Sequence, residues 1–340
     1  MDLTEDQLIE AIRRVLSGEQ PGVVVGLGDD AAVVEPGAGH PVLTTDMLVE
    51  GVHFDLGSIS ARDLGAKSIV VNVSDMAAMA ASPRYALVSI GLSPGIEASW
   101  VVELYGGMRA ACDEYALALV GGDTNRSPMA VISVTVIGEV APGRAVTRSG
   151  AQPGDVVVVT GTLGAAAGGF ALSRAHPSRA AAALSEPWGR ELSDALSRPV
   201  ARVGEGQTLA QAGATAMMDL SDGLAKDLGR LCLASRVGAR IELDQVPVAE
   251  PLLRGAEVLG LDALALAIGG GEDYELLATL DATDVEHARV ELDERFGVSL
   301  TEVGLIIEGE GLVAVDGQGR TSPLEPKGWD HFARDRDPRS

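Results

Sequence analysis

Apolar positions recur along this chain in two periods, and the switches between them mark out its elements. Residues 4–17 place leucine and isoleucine at helical spacing, with Thr4 as N-cap, Gln7 in the capping-box position and Gly18 as the stop, so a helix is predicted there. VVVGLG (23–28), AAVV (31–34) and PVLTTDMLV (41–49) read as strands. A long helix is predicted over about 60–81, where Leu64, Ile69, Val73 and Met76 recur at helical spacing. ALVSIGL (86–92) follows as a strand, then a helix from Pro94 to about Ala116 and strands at 117–122 and 129–140. Strands clustered between helices without strict alternation predict an α+β first half with antiparallel character.

The segment APGRAVTRSGAQPGD (141–155) is rich in Pro, Gly and Arg and has no period. It reads as a boundary, giving domains at 1–148 and 149–332 and a charged tail at 333–340. VVVVTG (156–161) opens the second half as a buried strand, followed by the glycine- and alanine-rich TLGAAAGGFAL. The stretch 174–200 reads as a surface excursion. Beyond it the pattern predicts a helix (200–212), a strand (215–220), a helix from Gly223 to Ser235, a strand at IEL, further helices, a strand (274–280), a helix (284–296) and two late strands (303–307, 312–315). The expected fold class is therefore two-domain α/β (α+β).

Composition narrows the function. Of 340 residues 46 % are hydrophobic and 22 % charged, as in a globular protein, and no apolar run is long enough to span a membrane. The start of the chain lacks the pattern of a signal or transit peptide. The net charge of −23 argues against nucleic acid or an anionic membrane as partner, since both need a basic face. Cys112 and Cys232 lie far apart without metal-ligand spacing, which reads as two buried small hydrophobes in a reducing cytoplasm.

Position gives the acidic residues a second meaning beyond solubility. GLGDDAA (26–32), TTDMLVEGVHF (44–54), VNVSDMAAMAA (71–81), GGDTNR (121–126), MDLSDGLAKDLG (218–229) and GGGEDYELL (269–277) each put acids beside Gly, Ser or Thr at the end of an apolar element. One such acid is ordinary turn chemistry. Six, if they converge, repel one another unless hard divalent cations sit between them, and all-oxygen ligands favour Mg²⁺ or Mn²⁺. Ser68, Asn72 and Asp75 fall on one face of the long helix. A solvated face is the plainer reading, but the apolar neighbours favour a buried polar stripe.

Other sites are excluded. GLGDDA fits G-x-G-x-x-A, yet its aspartates stand where a pyrophosphate would approach, and a strand follows where a helix is required. A Walker A loop needs GK[ST], and none of Lys67, Lys226 and Lys327 has that context. No G-x-S-x-G, HExxH or protein-kinase set occurs. If the chain handles ATP, metal ions and backbone amides must do what a P-loop lysine does elsewhere. GGDT and GTLGAAAGG are candidates for close phosphate approach, and tight helix packing explains the latter equally well.

The ordered set GLGDDAA, TTDMLVEGVHF, VNVSDMAAMAASP, GGDT, RAVTRSGAQPGDVVVVTGTLG, DLSDGLAKDLG, GGGEDYELL and KGWDHF resembles the thiamine-monophosphate kinase family, from about Gly26 to Phe332. The resemblance implies the aminoimidazole ribonucleotide synthetase-like fold, a homodimer whose N-terminal domains build a β-barrel, and ATP and several Mg²⁺ ions in a cleft between barrel and C-terminal domains. It implies phosphorylation of thiamine monophosphate to the diphosphate by ATP. Carried over, it makes Asp30, Thr44, Thr45, Asp46, Asp75, Asp123, Asp219 and Asp222 magnesium ligands, with Asp29 assisting. It makes Tyr105, Gly122, Arg148 and Ser221 nucleotide contacts, and His53, Glu272 and Trp329 substrate contacts. For Tyr105 the plain alternative is a packing tyrosine, for Arg148 a surface arginine, and for His53 a strand-end histidine. Sister activities remain in view: an aminoimidazole ribonucleotide synthetase-like enzyme on fold, or a non-catalytic nucleotide- or metal-binding protein. Selenophosphate synthetase and the hydrogenase-maturation dehydratase are disfavoured, because the N-terminal reactive cysteine of one and the C-terminal cysteine of the other are missing here.

Overall fold

The computed structural model describes residues 5–18, 20–26 and 31–329. The N-cap assigned to Thr4, the aspartates Asp29 and Asp30, and the tail after Phe332 lie outside these residues. The chain divides into two compact units, the first holding residues up to 76 and 81–143, the second 77–80 and 144–329.

The first unit runs α1 (Glu5–Val15), β1 (Val23–Val25), β2 (Val33–Val34), β3 (His40–Val49), α2 (Ala61–Ala78), β4 (Ser82–Leu92), α3 (Ala98–Glu114), β5 (Ala118–Arg126) and β6 (Val131–Val140). Strands β1 and β2 form a small antiparallel pair. The main sheet has the order β3-β6-β4-β5, antiparallel except for the parallel β4–β5 pair. Strand β4 begins four residues before the predicted strand because a bulge between Pro83 and Tyr85 lets a proline enter the ladder. Strand β5 continues past Gly122, where sequence patterning ended it.

Register sorts side chains by face. Thr44, Asp46 and Leu48 pair with Val136, Val134 and Ile132, and Val88 and Ile90 continue those rows. Side chains of α2 and α3 reach this face: Asp75 meets Thr44 and Tyr105 meets Thr124. Leu43, Thr45 and Met47 alternate to the other face, where Leu43, Met47 and Leu87 are 66 %, 55 % and 37 % exposed.

Helices α2 and α3 cross at two glycines. A Cβ on Gly65 would lie 1.9 Å from the Leu104 carbonyl oxygen, and one on Gly107 would lie 1.8 Å from that of Arg62. The GAKS segment thus serves helix packing. Cys112 is buried on α3, and burial pushes its thiol up to about 12, so it behaves as a small hydrophobe.

The second unit runs β7 (Val156–Thr160), α4 (Ala165–Ser173), α5 (Pro177–Ser185), α6 (Pro187–Ser197), α7 (Val203–Gln211), β8 (Ala216–Asp219), α8 (Leu224–Ser235), β9 (Gly238–Glu242), α9 (Glu250–Leu259), α10 (Ala263–Gly269), β10 (Leu276–Leu280), α11 (Val285–Phe296), β11 (Leu300–Ile307), β12 (Gly311–Val315) and β13 (Thr321–Leu324). Its seven strands have the order β13-β12-β9-β11-β7-β10-β8, mostly antiparallel with β9–β12 parallel. The sheet is covered on both faces, which explains the unbroken apolar runs of β7 and β10. Val157, Val159 and Leu277 pack with Leu224, Leu228 and Leu231 of α8. Val156, Val158 and Leu276 pack with Leu209 of α7 and Leu292 of α11.

Residues 174–200 are mostly exposed, as a surface excursion would be, but they are helical. They form α5 and α6, separated at Glu186, with Pro177 and Pro187 at the helix starts. Leu192 is fully buried with Leu252 and Ala256 of α9. The double glycine of α4 makes room for this packing, since a Cβ on Gly169 would sit 2.1 Å from the Leu192 carbonyl oxygen. Helix packing therefore accounts for Gly168 and Gly169. Strand β13 was unpredicted because Pro323 interrupts its pattern, and an edge strand tolerates it.

The α2–α3 crossing gives opposite expectations for adjacent residues. Gly106→Ala meets only the end of the Arg62 side chain, at 3.3 Å, and gains helix propensity, so stability rises by up to about 1 kcal/mol. Gly107→Ala forces the helices apart at a backbone oxygen and lowers stability by roughly 1–3 kcal/mol net. Urea melts of both variants check this; equal shifts would refute the crossing.

Candidate functional site

The first unit builds its site where β3 runs beside α2. The Asn72 amide fixes the strand edge, its Oδ1 accepting from Asp46 N at 2.9 Å while its Nδ2 donates to the Ser68 carbonyl at 3.0 Å. One turn further along α2, Asp75 Oδ2 accepts from Thr44 Oγ1 at 2.5 Å. The Asn72 and Asp75 side chains face β3, and Ser68, Asn72 and Ser74 are buried, so the polar stripe belongs to the interior. Ser68 itself turns back to the Gly65 carbonyl. Asp46 lies on the exposed edge strand, yet its carboxyl is pushed up to about 6, first by burial and then by the Asp75 carboxylate. Two acids held this close on rigid elements form a site that favours a positive charge.

The loop after β3 adds His53. Its Nδ1 accepts from Val49 N at 3.1 Å, which puts the proton of the neutral ring on Nε2. On β5, Thr124 bonds the buried Tyr105 hydroxyl, whose pKa burial raises to about 12. Tyr105 is thus packed within the unit. Asp123 alternates to the opposite face, exposed and accepting from Asn125 Nδ2 at 2.8 Å. Gly122 stands where a Cβ would lie 1.9 Å from the Val88 carbonyl oxygen, so strand packing alone requires a glycine. The structure brings Thr44, Asp46 and Asp75 together. It leaves Thr45 and Asp123 on the other face, at opposite edges of the sheet.

The second unit gathers its acids at one end of its sheet. Asp219 is buried at the end of β8, opposite Leu276 at the start of β10. The next turn is fixed by Asp227, which is fully buried in the first turn of α8 and accepts from Asp222 N at 2.9 Å and Gly223 N at 3.0 Å. Burial pushes the Asp227 carboxyl up to about 6, against these bonds and Arg230. Asp222 carries two cations, Arg230 at 2.6 Å and Lys226 at 3.2 Å.

Two further segments dock on this turn. Glu272 N donates to the Ser221 carbonyl at 2.8 Å and Tyr274 N to that of Leu220 at 2.9 Å. Both residues have positive φ, 69° and 52°, a conformation that costs a residue with a side chain about 1–3 kcal/mol and marks a loop held in place by its surroundings. Trp329 N donates to the Asp222 carbonyl at 3.2 Å. Ser221, Asp222, Glu272 and Trp329 thus share one corner. Asp273 instead caps α4, accepting from Gly164 N at 2.8 Å, and burial raises its carboxyl to about 8. Arg148 is exposed beside edge strand β8, since Met217 N donates to the Thr147 carbonyl.

Among the described residues no group of three His, Cys, Asp or Glu side chains could by itself hold an ion. The hydroxyl of Thr44 therefore matters beside Asp46 and Asp75. Sequence reasoning named the acids but missed what holds them: Lys226, Asp227 and Arg230. An acid in the first turn of a predicted helix was the available signal for Asp227.

Residues 28–140 match the model of the AIR synthase related protein N-terminal domain, and residues 152–317 that of the C-terminal domain. A thiamine-monophosphate kinase from Aquifex aeolicus is 38 % identical over 335 residues, covering 97 % of this chain and 99 % of the relative. The crystal structure of a thiamine-monophosphate kinase from Stenotrophomonas maltophilia superposes with a TM-score of 0.79 at 36 % identity, covering 95 % of this chain and 99 % of the other. AaThiL complexed with AMPPCP and TMP superposes with a TM-score of 0.74 at 35 % identity, covering 98 % and 99 %. The two-domain fold, the acids at its strand ends and near full-length similarity agree: the chain belongs to the thiamine-monophosphate kinase family of AIR synthase related proteins.

Proposed function

We propose that this chain transfers the γ-phosphoryl group of ATP to thiamine monophosphate, using Mg²⁺ held by aspartates. Family membership supports the reaction, as does a relative complexed with AMPPCP and TMP. The observation that carries the metal reading is the placing of Thr44, Asp46 and Asp75 together, where burial first and the Asp75 carboxylate second raise the Asp46 pKa. Thr44, Asp46 and Asp75 would hold Mg²⁺ in the first unit, Asp219 and Asp222 in the second, with Thr45, Asp123 and Asp30 completing the set. Magnesium supplies charge neutralisation of the two polyanions and of the transition state.

The remaining groups bind and orient. The acceptor is a phosphate monoester, already ionised near neutral pH, so no general base is required, in keeping with a site whose histidine is tied down through Nδ1. His53 Nε2–H donates to the acceptor phosphate. Glu272 and Trp329 receive the cationic thiamine rings by charge and ring contact. Ser221, Arg148, Gly122 and Tyr105 serve the nucleotide, Tyr105 by bracing β5 beneath Asp123.

The sheet order adds a reason for a homodimer. Asp46 and Asp123 lie on β3 and β5, three strand spacings or about 14 Å apart, and on opposite faces. One chain does not bring both to one ion. The exposed face with Leu43, Met47 and Leu87 carries Thr45 and Asp123, so a second copy seated on it would bring its own Asp123 to the β3 edge, beside Thr45 and next to Asp46 along the strand.

Turnover of thiamine monophosphate with ATP and Mg²⁺ is expected to disappear with EDTA, and Asp46→Asn or Asp75→Asn to lose at least about a hundredfold in kcat with an unchanged circular dichroism spectrum. Near-normal rates would sink the metal reading. If Asp123 acts across the dimer, mixing inactive Asp46→Asn and Asp123→Asn chains restores about a quarter of the activity, because half the sites in a mixed dimer are intact. No recovery on mixing means that both act within one chain.

A third expectation concerns stability without metal. The folded Asp46 pKa lies above the unfolded value, so the native state holds the extra proton between about pH 4 and 6, and this group's contribution falls as pH rises through that window. Above pH 7 in EDTA, Asp46→Asn should therefore melt higher than the unmodified chain. The gain should be no more than about 1 kcal/mol, since solvent at the strand edge screens the repulsion. At pH 4 the difference should vanish, and a calorimetric pH series reads it.

A further inference from the structure

Lys226 is one of only three lysines in the chain, and its side chain is 21 % exposed. It stands on α8 one turn beyond Asp222, and its ammonium group is committed twice. Nζ lies 3.2 Å from Asp222 Oδ2 and also donates to the carbonyl oxygen of Trp329. The same tryptophan donates its backbone N–H to the Asp222 carbonyl at 3.2 Å. Both polar groups of the Trp329 backbone are therefore fastened to one turn, one directly and one through the lysine.

The approach is close enough to need a glycine. A Cβ on Gly328 would fall 2.3 Å from the Asp222 carbonyl oxygen and 2.8 Å from Lys226 Cβ. The turn that receives the segment is rigid, because the buried Asp227 carboxylate holds the amides of Asp222 and Gly223. A partly desolvated ammonium between a carboxylate and a carbonyl makes charge-assisted bonds stronger than neutral ones. Lys327, by contrast, is 82 % exposed and pairs with the neighbouring Glu325.

We propose that Lys226 is a positioning residue for the phosphoryl acceptor: with Gly328 it clips residues 327–329 to the Asp222 turn and so fixes where Trp329 stands relative to Asp222 and Glu272. The inference rests on the reading that Trp329 receives the thiamine ring. It predicts a larger effect on the acceptor than on the nucleotide, because the clip holds the tryptophan while Arg230 still pairs with Asp222.

Lys226→Met keeps the aliphatic stem and removes the clip. The KM for thiamine monophosphate is expected to rise at least about fivefold, and by clearly more than the KM for ATP. Lys226→Arg, which retains a donor to both oxygens, should recover most of the loss. Gly328→Ala should give the same KM signature with the lysine intact, which covers the case in which Lys226→Met fails to fold. Hydrogen–deuterium exchange of the unliganded protein reads the clip without turnover: the Trp329 amide should exchange at least about tenfold faster in Lys226→Met. An unchanged acceptor KM, an equal rise in both KM values, or unchanged Trp329 exchange would each overturn the clip. Absence of thiamine monophosphate turnover by the unmodified chain would instead overturn the substrate reading on which the acceptor role rests.

Discussion

Carboxylates of like sign do not gather unless the backbone compels them, and that compulsion organises both units. At 4 Å two unit charges repel by about 1 kcal/mol in water and several-fold more near a protein surface. Here Asp46 is placed by its strand register and by Asn72, whose amide takes the strand N–H, while Asp75 is placed by its helix. Neither residue can retreat without disturbing a sheet or a helix. The glycine crossing of α2 with α3 sets the helix that carries Asp75, so the charge pair rests on a backbone-to-backbone contact at Gly65 and Gly107.

The second unit solves the same problem differently. Its turn after β8 is held from beneath by a buried acid, Asp227, and its outer acid, Asp222, is neutralised by Arg230 and Lys226. One unit stores carboxylate repulsion and the other balances it with cations. The positive φ of Glu272 and Tyr274 fits this picture, because that loop is fastened through backbone bonds to Ser221 and Leu220 and cannot relax.

Much of this was legible in the residues. The polar stripe Asn72–Asp75 on an otherwise apolar helix predicted a buried partner, and β3 is that partner. The apolar run of β7 predicted a buried strand, as found, and the strand predicted at 274–280 is β10, equally buried. What escaped has physical causes. Helices α5 and α6 are short and start at prolines, and few of their apolar residues are buried, so the pattern carries little helical signal. Strand ends at Pro83 and Pro323 were lost because proline reads as a stop, although a bulge and an edge position accept it. The face to which Asp123 points depends on the ladder, whose register shifts between Ala86 and Leu87, and no local pattern reveals such a shift. Lys226 was invisible as a functional residue because a lysine on a helix reads as solvated.

The scarcity of lysine has a practical side. Lys67 is 2 % exposed inside α2, Lys226 is engaged at both ends of its ammonium group, and Lys327 is 82 % exposed. Arginines carry the rest of the positive charge and do not react with acylating reagents near neutral pH. Among the described residues, amine-directed chemistry thus has a single open target on the native protein, Lys327. A dye or surface linker attached there would report on the segment that ends at Trp329, with no engineered cysteine.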